Sequence, residues 1–179
     1  YSAPSAYYFP TAGRMHAVEI LKGPAAITQG PYTIGGAMNM ISTPIPSNRS
    51  GSLMAEAGED ETYRIHANYG GTSDNGFGFM VETHQWESDG FQSIDRSGAN
   101  TGLDVEDYTL KLGYSNDQHT IELKIQYTEQ ESNQSYLGLT DDNFSDDAFR
   151  RYGLSALDNI ETEHHQQILR YRFDINDSI

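Results

Sequence analysis

Cysteine is absent from the 179 residues, which removes disulfides and thiolate metal sites from any account of stability or chemistry. No stretch approaches the ~18 consecutive apolar residues of a membrane-crossing helix. That excludes spanning by helices and leaves spanning by strands open, because a barrel strand needs apolar residues only at alternate positions. Cations are scarce: 11 Lys and Arg stand against 26 Asp and Glu, for a formal net charge of −15. Phosphate binding needs clustered Lys and Arg, so nucleic acid is excluded as a partner. Hydrophobic residues make up only 36% of the chain, thin material for the core of a water-soluble globule that must also overcome its own charge repulsion. Such a composition borders on that of disordered chains. The 12 Tyr and 7 Phe, and the ordered alternation below, oppose disorder.

Proline is missing from everything after Pro46, which is the last of the six prolines. Residues 1–13, with Pro4, Pro10 and Gly13, read as an irregular lead-in. Residues 17–46 (AVEILKGPAAITQGPYTIGGAMNMISTPIP) form a punctuated block. Val18, Ile20 and Leu21 predict a short strand ended by Gly23-Pro24, and Pro24 suits the first position of a helical turn over residues 25–27. Gly30-Pro31 stops that turn. Gly35-Gly36 permits φ values other residues avoid, or a close backbone approach. A second strand over residues 37–42 is closed by Pro44 and Pro46.

Beyond Ser47 the pattern has a period of two. Leu53, Ala55 and Ala57 share one face; Tyr63, Ile65, Ala67 and Tyr69 the next; then Phe77, Phe79 and Val81. Tyr108, Leu110, Leu112 and Tyr114 follow, then Ile121, Leu123, Ile125 and Tyr127, and last Leu169, Tyr171, Phe173 and Ile175. Each run alternates with polar residues, so six strands have one apolar and one polar face. A half-buried antiparallel sheet and a membrane barrel both fit. Two features favour the barrel. Tyr63 and Tyr69, and Tyr108 and Tyr114, bracket apolar faces, as rings with a polar tip do where hydrocarbon meets water. Connections are also sorted: residues 70–76 and 115–119 are short turns, whereas residues 87–106 and 129–163 are long, acidic loops. The short connection at residues 59–62 breaks the sorting.

Residues 18–42 resemble the end of the plug domain of TonB-dependent outer-membrane receptors. The residues that carry the resemblance are Val18, Glu19, Lys22, Gly23, Pro24, Gly30, Gly35, Gly36 and Asn39. Within that family the chain is most similar to ferric dicitrate receptors, through residues 30–46, the turn GGTSDNGFG (70–78) and the string YLGLTDDNFSDDAFRRY (136–152). The resemblance implies an all-β fold: a partial antiparallel transmembrane β-barrel of six strands, residues 47–179, preceded by the C-terminal part of a small α+β plug domain, residues 1–46. Barrels of this family have about 22 strands, so the chain is read as a segment of a longer protein, starting at Tyr1 and stopping in mid-pattern. It then says nothing of a leader peptide or of the box that contacts TonB. The implied activity is TonB-energised uptake of a ferric chelate across the bacterial outer membrane, with outer-membrane lipid around the wall, no cofactor and no covalent chemistry.

The residues offer candidate sites within that frame. Arg14, Glu19 and Lys22 on the plug side, and Glu56, Glu82 and Glu122 on polar strand faces, are candidates for releasable plug–wall pairs; solvated charge is the simpler alternative. A polyanionic cargo needs forked donors, which points to Arg96, Arg150 and Arg151 in the long loops, with Gln29 and Tyr32 beside a plug loop. The stronger reading of Arg150 and Arg151 is as loop-stabilising partners for Asp141, Asp142, Asp146 and Asp147, because the same string is full of carboxylates. That acidic string lacks EF-hand spacing and its glycine. Adjacent His164 and His165 in a strand point to opposite faces and cannot share an ion. No residue set supports metal binding or catalysis. Two other readings stay open: a soluble extracellular β-sheet adhesin whose acidic loops bind calcium, and a pore or receptor without energised transport.

Overall fold

The computed structural model describes residues 11–23 and 35–175. The chain divides into two compact units, Tyr1–Pro44 and Ile45–Ile179. In the first, β1 (Met15–Lys22) pairs antiparallel with β2 (Gly36–Ser42), from Lys22 opposite Gly36 to Met15 opposite Ser42. These are the two strands expected around Val18 and Ala37, each slightly longer than its apolar core. Gly36 has φ 144°, and a Cβ there would come within 2.6 Å of the Leu21 carbonyl oxygen, so β2 starts in close contact with the end of β1. The helical turn expected over residues 25–27 lies outside the described residues.

The second unit contains β3 (Ser50–Ala57), β4 (Tyr63–Thr72), β5 (Phe77–Ser88), β6 (Ser93–Ile94), β7 (Leu103–Ser115), β8 (His119–Ser132), α1 (Asp141–Asp146), β9 (Arg150–Arg151) and β10 (Ile160–Phe173). Six of the strands form one antiparallel sheet in the order β10-β8-β7-β5-β4-β3, an up-and-down meander left open with β3 and β10 at its edges. The molecule is thus all-β apart from one short α-helix and 3-10 turns among the described residues, with a sheet that corresponds to part of a barrel wall. No described helix is long and apolar enough to cross a membrane, which says nothing of strands.

The sheet is polar on the side where side chains are buried. Met80, Glu82 and His84 on β5, Asp107, Thr109 and Lys111 on β7, and Lys124 and Gln126 on β8 are all buried. The opposite face exposes Phe79, Val81, Leu112, Ile125 and Leu169. Cross-strand register assembles aromatic rows on this apolar face. Tyr108, Tyr127 and His165 lie side by side, and six residues further along β7, roughly 20 Å, so do Phe77, Tyr114 and Tyr171 with Ile121 between the tyrosines. Tyr69 is not at a border: it stands opposite Val81 in an apolar row, because register and not strand position sets the rows.

Strands β7, β8 and β10 extend beyond the apolar runs, so the loops expected over residues 87–106 and 129–163 shrink to residues 89–102 and 133–159. The extensions carry Asp104, Glu106, Glu129, Glu131, Glu161 and Glu163 on the same face as the aromatic rows. Carboxylates there hide the strand from an apolar-periodicity reading. Tyrosine tips point to them: Tyr127 Oη donates to Glu129 Oε2 at 2.6 Å, Tyr108 Oη to Glu106 Oε2 at 3.1 Å, and Tyr63 Oη to Glu87 Oε2.

At the short-turn end, a glycine notch in the polar face receives the segment before β3. Cβ atoms added to Gly78 and Gly113 would come within 2.8 and 2.7 Å of the Ile45 side chain, and one on Gly70 within 2.9 Å of Pro46 Cδ. Thr72 Oγ1 donates to the Pro46 carbonyl oxygen at 2.8 Å. A Gly70 Cβ would also press the Phe79 carbonyl oxygen at 2.5 Å and Met80 Cα at 3.0 Å, which are strand backbone, whereas the one tight contact at Gly113 is the end of the Ile45 side chain, with the Ile121 carbonyl oxygen at an ordinary 3.5 Å. Gly70→Ala is therefore expected to destabilise by roughly 1–3 kcal/mol and Gly113→Ala by clearly less, read from denaturant midpoints. In the 59–62 turn, Asp60 and Glu61 have φ 54° and 49°. Glu61→Gly relieves a strained backbone and should stabilise by about 1 kcal/mol on the same assay.

Candidate functional site

Charges on the polar face are paired across neighbouring strands. Pairing register sets Glu56 opposite Arg64 and Arg170 opposite Glu122, and both form ion pairs, at 3.1 and 3.2 Å. Arg64 also lies over the Trp86 ring at 4.5 Å. Glu82, nearly fully buried, meets His66 Nε2 at 3.0 Å, and the His66 ring lies 5.9 Å from that of His84. Next along the row, Thr128 Oγ1 donates to Asp107 Oδ2 at 3.1 Å, and Gln126 Nε2 to Thr128 Oγ1 at 3.1 Å. Lys124 Nζ donates to Gln166 Oε1 at 3.3 Å. Each of the three glutamates singled out from the sequence thus has a cationic or ionisable partner within the wall itself. Solvent-exposed pairs such as Glu56–Arg64 contribute little; the buried Glu82 depends on His66 far more.

In the β1–β2 unit, Arg14 is buried, Glu19 Oε2 accepts from Asn39 Nδ2 at 2.9 Å directly across the pair, and Lys22 closes the strand opposite Gly36.

The two long loops are held together by residues 55 to 57 apart in sequence. Strands β6 and β9 pair in parallel, Ser93 with Arg150 and Ile94 with Arg151, with Ser93 N donating to the Phe149 carbonyl at 2.9 Å and Asp95 N to the Arg151 carbonyl at 2.8 Å. Arg150 grips Asp95 with a fork, Nε to Oδ1 at 2.9 Å and Nη2 to Oδ2 at 2.8 Å, while Nη1 reaches Asn143 Oδ1 at 3.1 Å. Arg151 is buried; its Nε and Nη2 donate to Ser155 Oγ and the Ser155 carbonyl, both at 2.7 Å, and Nη1 to the Asn133 carbonyl. Phe91 packs edge-on against Phe149. Helix α1 is started by Thr140, whose Oγ1 accepts from Asn143 N at 3.4 Å, with Asp141 and Asp142 in the first turn.

The expected partners of Arg150 and Arg151 need correction. The guanidiniums do not hydrogen-bond the carboxylates of Asp141, Asp142, Asp146 or Asp147: Asp95, from the other loop, takes that of Arg150, and uncharged oxygens take that of Arg151, while Asp147 meets Arg150 through the backbone, its carbonyl accepting from Arg150 N at 3.3 Å. The parallel backbone pairing decides this, because it brings residue 95 beside residue 150. No local sequence signal marks Asp95, Asn133 or Ser155. Arg96 is exposed with φ 59°, beside Asp95. Gln29 and Tyr32 lie outside the described residues.

The Arg150 hydrogen bonds hold the Asp95 carboxyl below its ordinary range, with burial acting in the opposite direction. A depressed acid contributes its stability above its unfolded pKa and loses it as pH falls through the folded value. The clasp therefore holds at neutral pH and opens in acid below the ordinary Asp range. At neutral pH, Asp95→Asn is expected to raise amide exchange at Ser93 and residue 95 severalfold and leave the sheet amides unchanged. Unchanged exchange at both positions would show that the backbone pairing alone holds the loops.

No protein-family model matches the chain. Among solved structures, the crystal structure of the ferric citrate transporter FecA in the unliganded form is similar over 92% of this chain, with a TM-score of 0.71 and 20% sequence identity. The chain spans 25% of that transporter's length. At this identity the likeness is one of fold alone: the chain has the fold of a segment of that transporter.

Proposed function

We propose that the chain is the end of the plug, residues 1–46, and the first six barrel strands, residues 47–179, of a TonB-dependent receptor that takes up a ferric chelate of the citrate type across the bacterial outer membrane. The observation that carries this reading is the reversed polarity of the sheet. Leu53 is 76% exposed and Leu169 71%, while His84 is fully buried. In water, an apolar face this broad is unfavourable at ~25 cal/mol per Å²; in a bilayer it is at no disadvantage, and polar groups belong on the side away from lipid. The fold likeness to a ferric citrate transporter supports the same reading.

Transport in this reading is gating without bond-making. In this reading Arg14 and Lys22 are plug-side cations for the wall carboxylates Glu56, Glu82 and Glu122, whose present partners are Arg64, His66 and Arg170, and Glu19 is a plug-side anion for a wall cation. Exchange of partners keeps the net cost of plug movement small, because each wall carboxylate has a second partner at hand. Arg96 is the loop arginine best suited to meet an anionic cargo, together with Gln29 and Tyr32. Arg150 and Arg151 act by shaping the loops. TonB supplies the energy. A soluble adhesin would need something to cover Phe79, Leu112 and Leu169, since exposed apolar patches of this extent mark membranes or interfaces.

In cells the protein should fractionate with the outer membrane and change mobility in SDS on heating; release into buffer without detergent would overturn the membrane reading. Calorimetry with the purified protein should give heat on adding ferric citrate. Binding of another ferric chelate with none for ferric citrate would reject the cargo and keep the transporter.

A further inference from the structure

Between the segment that enters the glycine notch and the start of β3, the chain passes around the end of β4. Ile45 and Pro46 pack on the polar face, yet Arg49 lies on the apolar one: a Cβ on Gly71 would come within 2.9 Å of both Arg49 Cα and Cγ. Gly71 stands in register with Phe79, and through it with Leu112, Leu123 and Leu169. Where the glycine contributes no side chain the row dips, and an open groove of about 740 Å³ runs from Arg49 past Phe79 and Leu112 to Leu169. That volume is typical of small-molecule sites, about 300–1,000 Å³.

We propose that this groove binds one anionic phospholipid, its phosphate on Arg49 and an acyl chain along Phe79, Leu112 and Leu169. The site rests on the membrane reading above. Charge selects the occupant. Along the same face, the loop end of the sheet carries Glu87, Asp104, Glu129, Glu131, Glu161 and Glu163, which repel a phosphate, whereas the short-turn end presents Arg49. A guanidinium gives a phosphate two parallel donors, and it stands at the end of a groove lined by aliphatic and aromatic carbon. An amphiphile with an anionic head matches both parts; a free anion matches one.

The test uses the protein purified in detergent, incubated with equal amounts of dioleoyl phosphatidylglycerol and dioleoyl phosphatidylcholine, and weighed by native mass spectrometry. One phosphatidylglycerol should be retained about fivefold over phosphatidylcholine, the preference one basic residue gives near an anionic lipid. Arg49→Ala should abolish the preference, and Leu112→Trp, which fills the groove and leaves Arg49 intact, should lower retention of both lipids. Equal retention of the two lipids by the wild type, or a preference unchanged in Arg49→Ala, overturns the proposal. Displacement of the lipid by millimolar inorganic phosphate would reassign Arg49 to a plain anion site and also overturn it. Flotation with phosphatidylglycerol vesicles separates the two levels: a protein that does not float loses the membrane reading and the lipid site together. One that floats without lipid preference loses only the site.

Discussion

The structure depends on a sheet whose polar side chains are the buried ones. A β-strand offers its two faces to two environments, and period-two alternation commits each face along its whole length. Here the buried side holds carboxylates, imidazoles, ammoniums and amides, and burial of such groups is tolerable only when they are satisfied. Cross-strand register provides the partners: Glu56 with Arg64, Glu82 with His66, Asp107 with Thr128, Glu122 with Arg170. A slip of one residue in any strand would turn these groups to the apolar face and break the network, so the network and the register stabilise each other.

The apolar face is graded along the strands. Acidic extensions, then tyrosines whose hydroxyls donate to them, then aliphatic rows, then a second aromatic row follow one another from the loops to the short turns. A tyrosine held between a carboxylate and an aliphatic row marks the level where water gives way to hydrocarbon. Glycine does the complementary work at the other end. Gly70, Gly78 and Gly113 open a notch for Ile45 and Pro46 on one face, and Gly71 makes room for Arg49 on the other. The segment leading into the sheet is thereby anchored on both sides of a single strand. At the loop end, the β6–β9 pairing and the Asp95–Arg150 clasp join two separate connections, so the loops share one local stability and open together.

The six strands were legible because alternation of apolar and polar residues is a local signal, and each of them is present with the expected faces. Strand ends were less legible. Asp104, Glu129 and Glu163 continue their strands in carboxylates, which a hydrophobic pattern registers as loop. Of the candidate site residues, Glu56, Glu82 and Glu122 fell on the polar face that their strand positions required, because face follows parity. The partners of Arg150 and Arg151 were not legible. Charge proximity in sequence pointed to Asp141 to Asp147, and a parallel contact across 57 residues supplied the Asp95 carboxylate instead.

By itself the sequence determined secondary structure, the two faces of each strand and the punctuated block before Ser47. These follow from steric and solvation preferences acting within a few residues. Only the tertiary structure decided which polar groups meet, which tyrosines form rows, how the long loops are tied and why three glycines surround Ile45 and Pro46. Those depend on register between strands, and register is set by the summed packing and hydrogen bonding of whole strands.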